Sequence, residues 1–148
     1  MKFRAAVVTL AATAAVGVAV GSGVSAQAGK TTWDAIYSDA QAARGEALYT
    51  KSCATCHGTA LEGSEMAPPL VGPDFNANWD NLTVGELVER MRTTMPQEDP
   101  GSLSRGQNAD IFAYMLRKGG APAGQADLPG AADVLTGIKF KGQKPEAK

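Results

Sequence analysis

The pattern of polar and apolar positions predicts three helices, each opened by a polar capping signal. The signals are Ser38-Asp39-Ala40-Gln41, Thr83-Val84-Gly85-Glu86 and Ser104-Arg105-Gly106-Gln107. In each, a hydroxyl can accept from a backbone amide while the residue three positions later reaches back. The helices are predicted from about Asp39 to Lys51, Val84 to Thr94 and Arg105 to Lys118. Pro96 stops the second, and Gly119 is expected to end the third in a left-handed conformation.

Two stretches outside these helices have the composition of loops. Residues 58–81 are rich in Pro and Gly and unusually long to be structureless in a compact domain, so something must organise them. After Gly120 comes another Pro- and Gly-containing stretch, then an apolar patch at Val134, Leu135 and Ile138 that we expect to dock on the domain surface. The Lys-rich tail from Lys139 to Lys148 is expected to be mobile.

The first residues have the pattern of a cleaved secretory signal. Lys2 and Arg4 form a short positive region, residues 5–20 are apolar and uncharged, and Val24-Ser25-Ala26 offers the small residues that signal peptidase requires. An uncleaved membrane anchor is the alternative, but the run is shorter than the ~20 apolar residues that span a bilayer. We therefore predict a signal peptide at 1–26, one domain at 27–120 and an extended C-terminal segment at 121–148.

Composition and charge narrow the class of protein. A hydrophobic content of 44% supports a packed globular core. Loss of Lys2 and Arg4 would leave 12 basic against 15 acidic side chains, a net charge of −3, which argues against nucleic acid as a partner. Because no lipobox cysteine follows the signal, we expect the periplasm. An exported protein also does not readily keep a free, reactive dithiol.

Both cysteines and the one histidine lie within five consecutive positions, Cys-Ala-Thr-Cys-His at 53–57. This sequence fits CxxCH, the attachment site of c-type haem. Two thiols three positions apart on one turn can both reach the haem vinyl groups, and the adjacent His57 then points its ring at the iron. We predict one haem c, bound covalently through Cys53 and Cys56, whose burial would also organise residues 58–81.

Three other interpretations of this motif were weighed. A disulfide between Cys53 and Cys56 would suit an exported protein but leaves the position of His57 unexplained. A zinc site needs four ligands, usually Cys and His, and the chain has three such residues. A thioredoxin-like dithiol needs a strand before the motif, whereas this motif follows a predicted helix.

The sixth position of the iron is open to several ligands. The lone histidine excludes bis-histidine ligation within the chain, which leaves Met, Lys, a terminal amine or an open position. The methionines after residue 26 are Met66, Met91, Met95 and Met115. The first is nine residues after His57, on the histidine side, and the second and fourth fall at helical core positions. Met95 precedes Pro96 at a helix end and can be aimed across the cofactor, so we predict it as the ligand; the alternative is a helix-terminal hydrophobic residue.

Residues 41–118 resemble a class I cytochrome c. In that family an N-terminal helix carrying a glycine and an aromatic crosses a C-terminal helix at close approach. Gly45 and Tyr49 match these positions, and they would face Ile111, Tyr114 and Met115. The resemblance implies an all-α class I cytochrome c fold, with three to four helices wrapped around one covalently attached haem.

The same resemblance assigns further residues to the haem. Pro68-Pro69-Leu70-Val71-Gly72 is similar to the family's Pro-x-Leu-x-Gly segment. It implies that the Pro68 carbonyl accepts a hydrogen bond from His57 and that Leu70 packs on the haem face. Met95-Pro96 matches the family's sixth-ligand signature. Trp79 either hydrogen-bonds a haem propionate or is an indole buried for its area.

Residues 91–120 resemble the small cytochrome c domains that stand beside, or are fused to, exported quinoprotein dehydrogenases. This implies redox protein partners: as donor an alcohol or sugar dehydrogenase that carries pyrroloquinoline quinone, and as acceptor a cytochrome or an oxidase. We expect the protein to contact a membrane only through such partners. The few lysines around the haem motif depart from a mitochondrial-type carrier with its basic docking ring.

Together these features predict a periplasmic monohaem electron carrier, or the cytochrome subunit of a dehydrogenase, rather than an enzyme in its own right. One alternative is a five-coordinate haem protein that binds peroxide or a gas, which would require Met95 to be a core residue. Another is a cofactor-free thiol oxidoreductase. Haem content and the identity of the sixth ligand distinguish the three.

Overall fold

The structure is a computed structural model that describes residues 29–146, so the predicted signal peptide lies outside it. Over these residues the chain forms six helices and two short strands. The helices are α1 (Asp39–Ser52), α2 (Ala54–His57), α3 (Pro73–Trp79), α4 (Val84–Thr94), α5 (Arg105–Lys118) and α6 (Ala132–Thr136). The strands β1 (Lys30–Thr31) and β2 (Ile138–Lys139) pair in parallel, with Lys30 opposite Ile138. Within 29–146 no helix is both long and apolar enough to cross a membrane.

The three predicted helices are confirmed. Helices α4 and α5 have the predicted bounds, and α1 ends one residue later than predicted. Both the Thr83 and the Ser104 capping boxes are complete, because each hydroxyl accepts from the amide three residues on and the Glu or Gln there accepts from the cap. With α3, these are the four longer helices of the predicted all-α fold.

Two details of the helix ends were predicted wrongly. Ser38 caps α1, but the Gln41 side chain does not reach back; its amide exchanges two hydrogen bonds with the Leu128 backbone, of 2.9 and 2.7 Å. A distant backbone thus replaces the local partner. Gly119 has right-handed torsions (φ −76°), and it is Gly120 that takes the left-handed φ of +84°.

Helix α3 lies inside the stretch predicted as a loop. Pro73 occupies its first turn, where a missing N–H costs nothing, and Gly72 precedes it at φ +92°. In a sequence, Gly and Pro normally indicate the absence of a helix, which explains why α3 was not predicted. Phe75, its buried residue, packs in the core.

The closest helix crossing joins α1 and α5. A Cβ at Gly45 would lie 1.8 Å from the Asp110 carbonyl oxygen, so the two backbones touch where the side chain is absent. One turn further along α1, the rings of Tyr49 and Tyr114 are 5.3 Å apart between centroids. This pairing agrees with the crossing that the family resemblance implies, and it fixes the end of α1 that leads into Cys53.

The C-terminal segment is more ordered than predicted. Leu135 and Ile138 of the apolar patch are 2% and 0% exposed, and Phe140 is 5% exposed within the same core. The prediction of a mobile tail from Lys139 is therefore wrong as far as Gly142, because Phe140 is buried and the backbone around it is hydrogen-bonded to residues 81 and 82.

Candidate haem-binding site

The motif Cys53–His57 spans the junction between α1 and α2. Cys53 ends the first helix, and the single turn of α2 then presents Cys56 and His57. His57 is 7% exposed, and its Nδ1 lies 2.8 Å from the Pro68 carbonyl oxygen. A carbonyl can only accept, so Nδ1 carries the proton and the lone pair of Nε2 is available to a metal. The hydrogen bond that the resemblance implies for Pro68 is present.

The segment after the motif is fastened by hydrogen bonds to the motif itself. The Gly63 amide donates to the His57 carbonyl (2.8 Å), and the Ser64 hydroxyl donates to the Cys56 carbonyl (2.6 Å). The Tyr49 hydroxyl donates to the Gly58 carbonyl (2.5 Å). Gly63 has a φ of +79° and lies where a Cβ would meet the Pro69 nitrogen at 2.6 Å, so only glycine fits. These contacts hold the backbone in place both before and after His57.

The Cys53 thiol lies in surroundings that suppress its ionisation. Burial, and secondarily the neighbouring Cys56, raise its pKa to about 11. Because the thiolate is the form that attacks a disulfide, a neutral Cys53 is poorly suited to dithiol redox chemistry at neutral pH. This disfavours the thiol oxidoreductase interpretation.

All seven residues predicted for the site line one cavity of about 820 Å³. They are Cys53, Cys56, His57, Pro68, Leu70, Trp79 and Met95. The volume is at the upper end of the roughly 300–1,000 Å³ typical of ligand pockets. The large hydrophobic side chains that are exposed in the described residues, Met66, Leu82 and Met95, all line this cavity too. A large apolar ligand in the cavity would cover Met95 and contact the inner faces of Met66 and Leu82, so the residues present fit a haem.

Sequence reasoning missed several walls of this cavity. They come from α3, α4 and α5 and include Phe75, Leu87, Met91, Ile111 and Met115. The sequence analysis either assigned these residues to the protein core or did not assign them. An apolar helix position looks the same in a sequence whether it faces another helix or a cofactor, which is why no local signal identified them.

Met95 lies where α4 ends. Its backbone is extended (φ −127°, ψ 152°), its amide donates to the Met91 carbonyl at 2.9 Å, and its side chain is 37% exposed at the cavity. Three other methionines, Met66, Met91 and Met115, line the same cavity. Met95 differs from them in its position after the last helical residue, where the chain turns at Pro96.

Comparison with known proteins identifies the family. The model of the family described as Cytochrome C oxidase, cbb3-type, subunit III matches residues 40–115, just over half of the chain. The crystal structure of the sulfane dehydrogenase SoxCD from Paracoccus pantotrophus is 25% identical, with a TM-score of 0.45 over 64% of this chain and 55% of that one. The chain thus spans little more than half the length of that relative. No curated protein matches the sequence. With its CxxCH motif, the protein belongs to this family and is a small class I c-type cytochrome that carries covalently bound haem c.

Proposed function

We propose that the protein is a periplasmic monohaem electron carrier in which His57 and Met95 would hold the haem iron. A cytochrome c domain implies electron transfer; the ligand pair, the location and the partners are the proposal. One observation carries it: His57, whose Nδ1 is held by the Pro68 carbonyl, and Met95, at the end of α4, line the same cavity. When bound, haem c supplies a one-electron couple between ferrous and ferric iron.

The protein's own residues would set the behaviour of that couple. With His57 and Met95 both bound to it, the iron would have no position left for a substrate, so the site would pass electrons only. A thioether ligand favours the ferrous form, and the apolar walls disfavour the extra charge of the ferric form. The hydrogen bond from His57 to Pro68 holds the ring in one orientation, so little rearranges when the charge changes.

The partners would meet the cavity rim. Met66 is 81% exposed, and the turn that presents it is fixed, since its amide donates to the Ser64 hydroxyl at 3.1 Å. Leu82, which is 40% exposed and also lines the cavity, extends this apolar rim. Such a patch fits a small, transient contact with a dehydrogenase donor, for example a quinoprotein, and with a cytochrome or oxidase acceptor.

The deciding experiment compares optical spectra of wild type, Met95→Ala and Met66→Ala, produced with haem-maturation machinery. We expect a low-spin wild type with the weak ferric charge-transfer band of thioether ligation. The band should vanish in Met95→Ala, whose ferrous iron should then bind carbon monoxide, and persist in Met66→Ala.

Two results would contradict the proposal. Loss of the band in Met66→Ala alone would move the ligand to the histidine-side loop. A high-spin wild type that binds carbon monoxide would favour the five-coordinate haem protein. Recovery of the mature chain in the periplasmic fraction, cleaved after Ala26, tests the location.

A further inference from the structure

Two segments of the chain outside the matched family region meet beside α3, the helix that lines one side of the haem cavity. They are residues 30–33 and residues 138–142, which we together call the clasp. The family match covers 40–115 only. Both parts of the clasp are therefore additions to the region that defines the family, and they converge although they are over 100 positions apart.

The two parts are bound to each other beyond the β1–β2 pairing. The Thr32 amide donates to the Lys139 carbonyl (3.0 Å), and the Lys141 amide donates to the Thr32 hydroxyl (3.0 Å). The Trp33 indole donates to the Lys141 carbonyl at 2.9 Å. Thr32 is 1% exposed, so these bonds are shielded from competing water.

The clasp is also bound to the middle of α3 and to the residue that ends it. The Asn76 side-chain amide donates to the Gly142 carbonyl (2.8 Å), and the Gly142 amide donates to the Asp80 carboxylate (2.9 Å). Just beyond the helix, the Phe140 amide donates to the Leu82 carbonyl at 2.8 Å. Four of the residues between 75 and 82 line the haem cavity: Phe75, Asn78, Trp79 and Leu82.

An aromatic series links the clasp to the cavity. The Phe140 ring meets Phe75 edge-on at 5.7 Å between centroids, and Phe75 meets Trp79 at 6.4 Å. Phe140 itself does not line the haem cavity, whereas the other two rings do. A shift of Phe140 is therefore transmitted to the cavity wall through rings that pack against one another.

Helix α3 needs this support. It has seven residues, and its N-cap Gly72 makes no side-chain capping bond. Helices shorter than about 12–15 residues are marginal on their own, so tertiary contacts must hold α3 in place. The clasp supplies contacts at Asn76, at Asp80 and through Phe75.

We propose that the clasp is a positioning device, which holds α3 against the haem cavity, excludes water from that side and so raises the reduction potential. Phe140 and Gly142 are its positioning residues. The inference concerns the cavity of the proposed function, but it depends only on the presence of haem and not on Met95 as a ligand.

The sharpest test is Gly142→Ala. A Cβ there would lie 2.7 Å from the Asn76 Cβ, so it pushes the clasp from α3 without removing a core side chain. Gly106→Ala is the matched control, since its Cβ would meet only the Ser104 hydroxyl, at 3.9 Å. Two quantities are measured in each variant: hydrogen exchange of the Asp80 amide, which closes α3, and the reduction potential by spectroelectrochemical titration.

We expect at least tenfold faster exchange at the Asp80 amide in Gly142→Ala. We also expect the ferric-to-ferrous ratio to rise at least threefold, a fall of about 28 mV at 59 mV per tenfold change for one electron. Gly106→Ala should match the wild type in both. Phe140→Ala should have the larger effect, and Phe140→Leu should recover part of it by refilling the space.

The proposal is overturned if the potential and the Asp80 exchange of folded Gly142→Ala equal those of the wild type, even if its global stability is lower. Should Phe140→Ala fail to fold, Gly142→Ala decides alone. The ferric thioether band is recorded on the same samples. If this band is intact in Gly142→Ala while the potential falls, the clasp acts independently of the sixth ligand. If the band is absent from the wild type, Met95 is not the ligand, and the test of the clasp is still valid.

Discussion

Replacement of Gly45 by alanine should disrupt the helix crossing on which the haem motif rests. The added Cβ would lie 1.8 Å from the Asp110 carbonyl oxygen and 2.4 Å from its carbon, whereas ordinary contact begins at 3.4 Å. The shortfall to the oxygen is about 1.6 Å. Both contacts are with backbone atoms, so no side-chain rotation can relieve them and α1 must move away from α5.

The free-energy change can be bounded from this geometry. Alanine gains about 1 kcal/mol over glycine in helix propensity. Against this, overpacking costs about 1–3 kcal/mol or more, and a gap of 0.5–1 Å already forfeits a quarter to a half of each dispersion contact along the crossing. The Tyr49–Tyr114 pair, worth about 0.5–1.5 kcal/mol, is pulled apart as well. We expect a net loss of about 3 kcal/mol in the free energy of unfolding.

Urea unfolding of the haem-loaded protein, followed by circular dichroism, measures this loss. Gly106→Ala, in the first turn of α5, serves as the control and should lie within about 1 kcal/mol of the wild type, since a Cβ there meets no close neighbour. If Gly45→Ala loses less than about 1 kcal/mol relative to this control, the close approach of α1 and α5 is not what requires glycine, and the reasoning fails.

Two further predictions concern single side chains. Tyr49→Phe removes the hydroxyl that donates to the Gly58 carbonyl, so we expect a loss of about 1–2 kcal/mol in urea unfolding; an unchanged midpoint would contradict a role for this bond in fixing the segment after His57. The hydrogen bond from Arg92, with Arg105 nearby, lowers the pKa of Glu89 from 4.5 to about 2. The contribution of the ionised Glu89 carboxylate to the free energy of unfolding is therefore present above pH 4.5 and lost as the pH falls toward 2. Because the pair is partly exposed to solvent, the effect should be small and salt-sensitive, and Glu89→Gln should flatten the pH dependence of thermal unfolding in this range.

Local signals were sufficient for much of the fold and of the site. The capping boxes at Thr83 and Ser104 placed α4 and α5 at their observed bounds, because a cap and its partner are three residues apart. The CxxCH motif identified the haem attachment for the same reason, since its atoms lie on one helical turn.

Other features depend on residues far apart in the chain. Gln41 has the sequence of a capping partner, yet it binds the backbone of Leu128, 87 positions away. Helix α3 is preceded by Gly72 and starts at Pro73, which locally suggest a loop, yet its Asn76 is hydrogen-bonded to Gly142, 66 positions away. No rule based on neighbouring positions could have predicted either.

The sequence by itself thus determined the haem-attachment motif at residues 53–57 and the three main helices, all of which rest on interactions within about four residues. Only the tertiary structure decided which apolar side chains line the cavity, that α3 is a helix and that residues 138–142 are held against it. The physical reason is that a buried polar group needs a hydrogen-bond partner from anywhere in the chain. A distant partner, such as Lys141 for Thr32, can therefore outweigh a local preference.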